Sequence, residues 1–335
     1  MNHLIKIVAL FLSSFLFAQD NCSDCGTYAG NWLQLETGTR AIGMAGAHVA
    51  TGDGVYAAPY NPSAISYIED SDMFFSNTNY VADISHHVIG YATQLDQNNF
   101  IGLHIFHMNS GDIEVTTIDE PNGLGEFYSV KATSIRGIYA RKLLQERLNI
   151  GFSAKYIREN IHTVYMQSFL LDMGASFHLA YGTTLGLSLS NFGSDVQFHG
   201  PGLQVLDESS PSGSYQQITQ PHSVPLSFRF GVKSNIVGES MGNSIFPTAT
   251  GSTLIFALDG VYSQDDKFYS TMGCEFSWKK IAFVRLGTHL GHDTAGFSAG
   301  AGLVYNKIAV DVAYVHYGDL NLDHGTVQYG LRVGF

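Results

Sequence analysis

From about Asp72 to the end of the chain, apolar and polar residues take turns in short runs broken by turn formers. Leu148, Ile150, Phe152, Ala154 and Tyr156 fall on one face of such a run and Asn149, Gly151, Ser153 and Lys155 on the other. Side chains alternate in this way along an extended chain. Phe169, Leu171, Met173, Ala175 and Phe177 oppose Asp172, Gly174, Ser176 and His178, with Leu170 as the one exception. Leu185, Leu187 and Leu189 oppose Gly186, Ser188 and Ser190; Leu226, Phe228, Phe230 and Val232 oppose Ser227, Arg229, Gly231 and Lys233. Ile308, Val310, Val312 and Tyr314 oppose Lys307, Ala309, Asp311 and Ala313. The pattern predicts strands at roughly 72–81, 83–93, 99–108, 127–141, 147–159, 161–178, 183–191, 224–236, 253–263, 267–278, 281–290, 294–305, 307–317 and 325–335. Lys, Arg and Asp on an inner face are costly in a dry sandwich core, but not where they meet water or pair across a hydrated interior.

The last ten residues show the same two faces. Val327, Tyr329, Leu331, Val333 and Phe335 are all apolar, while Gln328, Gly330, Arg332 and Gly334 carry only small or polar groups. One face suited to lipid and one to a crowded, hydrated lumen is the signature of a membrane barrel strand. Taken alone, the segment also fits the final strand of a soluble sandwich.

Composition decides between the two. The 335-residue chain is 45% hydrophobic and 14% charged, against roughly 25% charged residues in soluble domains. Something other than water must cover much of its surface. The longest apolar run, Leu4 to Ala18, is interrupted by Lys6 and two serines, and no later stretch approaches the ~20 apolar residues a spanning helix needs. A lipid-facing chain without such helices must close into a barrel, because open backbone edges are too costly in hydrocarbon. The expected fold class is therefore all-β, a 14-stranded antiparallel transmembrane β-barrel in the outer membrane of a Gram-negative cell, with the lipid bilayer as its surroundings. With both termini periplasmic, the long gaps 109–126 and 192–223 point outward, and the short turns 142–146, 179–182 and 279–280 point inward. Residues 237–252 break this rule, as a miscounted strand or a genuine periplasmic feature.

The first 18 residues read as a secretory signal peptide, with His3 and Lys6 ahead of an apolar core and Ala18 at the cleavage point. Gln19-Asp20-Asn21 is too polar for a lipobox before Cys22. Cys22 and Cys25 form a C-x-x-C that an oxidising periplasm would close as a local disulfide or leave as free thiols. A redox motif would need a βαβ context, and zinc would need two more ligands. Cys274, beside Met272 and Phe276, reads as an inert lipid-facing residue. A net charge of −12 offers no broad basic surface and argues against a nucleic-acid partner. Residues 36–66 are rich in small side chains without sustained alternation, which suits a segment packed tightly inside something.

Gly38-Thr-Arg-Ala-Ile-Gly-Met-Ala-Gly-Ala-His-Val-Ala50, followed by Tyr56-Ala-Ala-Pro-Tyr-Asn-Pro-Ser-Ala64, resembles the start of the PorV/PorQ family. Ala45 stands where that family usually has Gly, and Tyr60 replaces the common Trp before Asn-Pro. Further matches are Tyr139-Ala-Arg-Lys142, Asp172-Met-Gly174, Leu187-Ser-Leu-Ser-Asn-Phe-Gly193 and Pro225-Leu-Ser-Phe-Arg-Phe-Gly231. The resemblance implies a barrel similar to the fatty-acid transporter FadL, with residues 19–66 as an N-terminal periplasmic segment and lumen hatch and residues 67–335 as the barrel. Asn61, Pro62 and Ser63 would hold the hatch turn. Tyr329, Leu331, Val333 and Phe335 resemble the C-terminal signal read by the barrel assembly machinery. Family members of the PorV type serve type IX secretion, so a translocon subunit or secreted cargo is the implied partner.

Catalytic and metal motifs are weak. Gly296-Phe-Ser-Ala-Gly300 matches the nucleophile-elbow pattern, but it runs into a continuing strand where the elbow needs a sharp turn into a helix. His104 and His107, like His289 and His292, are three apart, which in a strand sets the rings on opposite faces. No metal, cofactor or enzymatic role is expected. Lys155, Arg158, Asp172, Arg229, Lys233, Asp259, Arg285 and Asp311 read as lumen charges, forming either a network that holds the hatch or a substrate path. Three functions compete: a secretion or surface-attachment component, a FadL-like transporter of hydrophobic small molecules, and, with no nucleophile–base constellation behind it, an outer-membrane hydrolase.

Overall fold

The computed structural model describes residues 26–80, 82–206, 214–240, 242–318 and 325–335. The leader and the Cys22/Cys25 pair lie outside these residues. Fourteen long strands are present among those described: β1 Ser71–Asn79, β2 Ser85–Gln94, β3 Asn99–Asn109, β4 Val130–Leu143, β5 Leu148–Ile161, β6 Val164–His178 and β7 Thr184–Gly193, then β8 Ser227–Gly238, β9 Ser252–Ser263, β10 Asp266–Trp278, β11 Ala282–Leu290, β12 Phe297–Tyr305, β13 Ile308–Val315 and β14 Thr326–Gly334. Each pairs antiparallel with its sequence neighbours, and β1 pairs with β14, so the sheet closes into a barrel with no spanning edge left open. In that last seam Phe75 faces Leu331 and Asn77 faces Tyr329.

Alternation is what makes these segments strands. Leu187, Phe152, Val284 and Val310 point out and are exposed, whereas Ser153, Lys155, Asp172, Arg285 and Gln328 point in and are buried. Short turns close one end. Lys279 and Lys280 both take positive φ (52° and 56°), a mirror-image turn whose twist matches the flanking strands, and Ile281 N–H donates to the Trp278 carbonyl across it. The other end carries the long connections. Residues 127–128, expected to open β4, instead pair with 113–114 in an outer hairpin. Long loops belong outside the cell and short turns in the periplasm.

The connection after β8 is genuine and not a miscounted strand. Phe246–Pro247 pairs parallel with Val237 and Gly238. It can do so because the pairing of β8 with β7 stops at Lys233 opposite Thr184, which leaves the end of β8 free on that side.

Residues 29–68 fill the lumen. They carry 3-10 turns Asn31–Gln34, Val55–Ala57 and Pro62–Tyr67 and the short helix Thr39–Gly43, and nearly every side chain among them is buried. The lumen is not hydrated throughout, contrary to the sequence expectation. Under β2 to β6, inward Val88, Phe100, Phe106, Ile138, Ile157 and Leu170 pack with Trp32, Val55 and Ile65 in one apolar cluster. Leu170, the exception to alternation, points inward because it belongs to this cluster.

Candidate functional site

The inner segment is keyed to the wall by shape. Gly151, Gly174, Gly186 and Gly287 face inward on four strands, and a Cβ at any of them would collide with the segment: with Pro62, Asn61, Val49 and Met44 respectively. Glycine is required there because the inner segment comes close, by its backbone at Gly151, Gly186 and Gly287 and by the Asn61 and Pro62 side chains at Gly174. Asn61 caps the turn Pro62–Tyr67, its Oδ1 accepting from Ser63 N–H at 3.0 Å and Ser63 Oγ–H at 2.8 Å. Its amide reaches the Val49 carbonyl at 2.8 Å and the wall carbonyl of Ala175 at 3.1 Å. Pro62 supplies the preset φ of a first helical position. Asn61, Pro62 and Ser63 thus lie in one turn packed against β5 and β6.

Charge completes the attachment. Arg40, on the short helix, grips Glu275 of β10 with two nitrogens at 2.8 and 2.7 Å and reaches Asp53 at 2.6 Å. Arg285 donates to the same Glu275 at 2.6 Å and pairs with Asp311. Arg332 holds Asp72 at 2.7 Å. Burial alone would raise the Asp53 carboxyl, but Arg40 and Arg332 outweigh it and hold the group well below the usual carboxylate range. A second cluster lies in the wall, where Asp172 accepts from Arg136 at 3.0 Å, Lys155 at 2.8 Å and Ser153 at 2.7 Å. Asp259 accepts the backbone N–H groups of His48 and Val49 at 2.6 and 2.8 Å, so one carboxylate caps a turn of the inner segment.

Of the eight charges singled out in the sequence, Lys155 with Asp172 and Arg285 with Asp311 meet as pairs. Asp259 binds backbone, Arg229 lies over the Tyr60 ring at 5.1 Å, and Lys233 is half-buried opposite Thr184. Arg158 stands apart, over Tyr165 at 4.5 Å near the loop end. Sequence reading missed Arg40, Asp53, Asp72, Arg136 and Glu275. Glu275 and Arg136 sit at alternate positions inside expected strands, and that parity was the signal that could have found them.

Histidine geometry divides. His104 is buried inward and His107 turns away to Thr133 at 3.0 Å, as period two requires. His292 lies beyond the end of β11, outside strand geometry, and its ring meets that of His289 at 5.5 Å. The expectation of opposed rings fails for this pair. Glu36 of the inner segment sits 3.1 Å from His289 Nε2. Ser298 of the elbow-like motif is buried within the strand Phe297–Tyr305 and no helix follows it. Cys274 is exposed on the outward side of β10.

At the loop end, beside the first described residues, opens a cavity of about 650 Å³ lined by residues 26–32, Met108, Glu159, Phe198 and His222. Trp32 forms its floor. The indole stacks on Phe106 at 5.7 Å with an interplanar angle of 9°, and its N–H donates to Glu159 at 2.9 Å. Beneath it continues the apolar cluster of β2 to β6. An apolar space with few, placed polar groups is the usual form of a small-molecule site.

No family model and none of the curated proteins matches the chain. Solved structures do. The toluene transporter TbuX of Ralstonia pickettii superposes with a TM-score of 0.56 at 12% identity, over 90% of this chain and 99% of that one. The monoaromatic hydrocarbon channel CymD gives 0.55 at 11% identity, over 89% and 97%. A FadL homologue of Pseudomonas aeruginosa gives 0.53 at 10%, over 90% and 99%. At these identities the likeness shows the fold alone: a closed, FadL-like barrel.

Proposed function

We propose that this barrel admits hydrophobic small molecules across the outer membrane. The observation that carries the reading is the apolar cavity at the loop end, which leads onto the lumen cluster of Phe106, Met166 and Leu170. Structures similar to it in fold include a toluene transporter and a monoaromatic hydrocarbon channel. Residues 29–68 act as the hatch, and the glycine and arginine contacts fix where it sits. Hydrophobic solutes cross the polar outer leaflet poorly, so a dry entrance above the lumen gives them a way past it. The test is the initial rate of labelled toluene uptake by cells carrying or lacking the chain. The chain should raise the rate severalfold, and Met108→Arg, which charges the cavity wall, should return it to background. An unchanged rate with the wild-type chain present overturns the reading.

A second reading is a PorV/PorQ-type role in secretion, and one further observation favours it. Ile118 in the first long outer loop is 100% exposed and Phe127 60% exposed, an apolar surface above the membrane that a solute channel does not need. Under this reading the loops bind a translocon subunit or cargo, and a pulldown from gently solubilised outer membranes should recover it. In either case Tyr329, Leu331, Val333 and Phe335 serve as the signal read by the assembly machinery, and no catalytic step is involved.

A further inference from the structure

The loop-end cavity has an acceptor character that its apolar lining conceals. Its one charged lining residue is Glu159. One carboxylate oxygen of Glu159 is taken up by the Trp32 indole, which places the group against the ring floor on which a ligand would lie. An imidazole, His222, also lines the wall. Its Nδ1 stands 3.2 Å from the Thr27 carbonyl oxygen, an acceptor, so Nδ1–H donates there. The Glu159 carboxylate thus offers an acceptor to whatever enters. Arg158, the nearest base in sequence, is engaged over Tyr165 and with Asn160 at 3.1 Å.

Resting on the transport reading, we infer that the cavity selects hydrophobic molecules bearing a hydroxyl donor, alcohols or phenols, over plain hydrocarbons, and rejects organic anions such as fatty-acid carboxylates. A hydroxyl donates to Glu159 while its apolar body covers Trp32 and Met108. A hydrocarbon gains the second contact without the first. A carboxylate brings like charge against Glu159, and the two repel.

The two tryptophans make this measurable. Trp278 lies at the far, turn end of the barrel, so Trp278→Phe leaves Trp32 as the sole reporter in the full chain. Fluorescence titration in detergent at pH 8 uses three molecules of one shape: p-cresol, toluene and 4-methylbenzoate. Expected are quenching by p-cresol at about tenfold lower concentration than toluene, from one charge-assisted hydrogen bond, and none by 4-methylbenzoate. Glu159→Gln keeps the acceptor for the Trp32 indole and removes the charge. It should narrow the preference for p-cresol over toluene and admit 4-methylbenzoate. If toluene binds but 4-methylbenzoate binds as well as p-cresol, or if Glu159→Gln alters neither, the selectivity is overturned and the transport reading stands. Failure of all three to reach Trp32 overturns the cavity as a ligand site and both readings of it.

Discussion

At the scale of single residues, the interior is held by a few groups that cannot be changed singly. Lys155 is 1% exposed and shares Asp172 with Arg136. Asp172→Ala would leave two buried cations without their carboxylate, and breaking such a pair costs about 3–5 kcal/mol. Urea unfolding in lipid vesicles should show that loss. The inward glycines make a sharper test. Gly151→Ala drives a Cβ into the Pro62–Ser63 backbone, and overpacking of this kind costs about 1–3 kcal/mol. Gly137, on the outward face with its would-be Cβ 4.0 Å from the nearest atom, should accept Ala with almost no change in the same assay. Much of this was visible in the sequence. Gly151, Gly174 and Gly186 stand on the polar face of clear alternations, and so do Lys155 and Asp172. Partners were not visible, because nothing local links Arg40 to Glu275 across 235 positions.

At the scale of elements, strands were legible wherever their two faces differ. All fourteen appear, because lipid outside and a polar interior impose opposite demands on neighbouring residues. Strand β3 reads less cleanly, with Phe100, Phe106 and Met108 inward and Ile101 and Leu103 outward. That blurring marks the apolar half of the lumen, where the candidate site lies. The inner segment was legible as small-residue chain but not in its path, since its turns answer to the wall and not to a period of their own. Its chemistry gives a pH prediction. Burial pushes the His48 imidazole down to about 3 from its usual 6.5. A histidine depressed in the fold contributes stability that is complete above the unfolded value and is lost as pH falls through the interval between the two. From pH 7 to 5 that loss is about 2 kcal/mol. The drop in unfolding free energy between pH 7 and 5 should therefore be smaller by about this amount in His48→Gln than in the wild type, and an equal drop in both would contradict the assignment.

At the scale of the whole molecule, the account has the chain turned inside out relative to a soluble protein: apolar residues clothe the exterior, and the chain's own N-terminal residues pack the interior. Both tryptophans sit where this can be read. Trp278 is 50% exposed on the outer face at the turn end, and Trp32 is 8% exposed within the barrel. The direct measurement is quenching by nitroxide-labelled lipids in reconstituted vesicles, using Trp32→Phe and Trp278→Phe to isolate each ring. Strong quenching of Trp278 with Trp32 left bright is the predicted result. Equal quenching of the two rings, or a chain that stays out of the vesicles, would contradict the barrel wrapped around its own N-terminal segment.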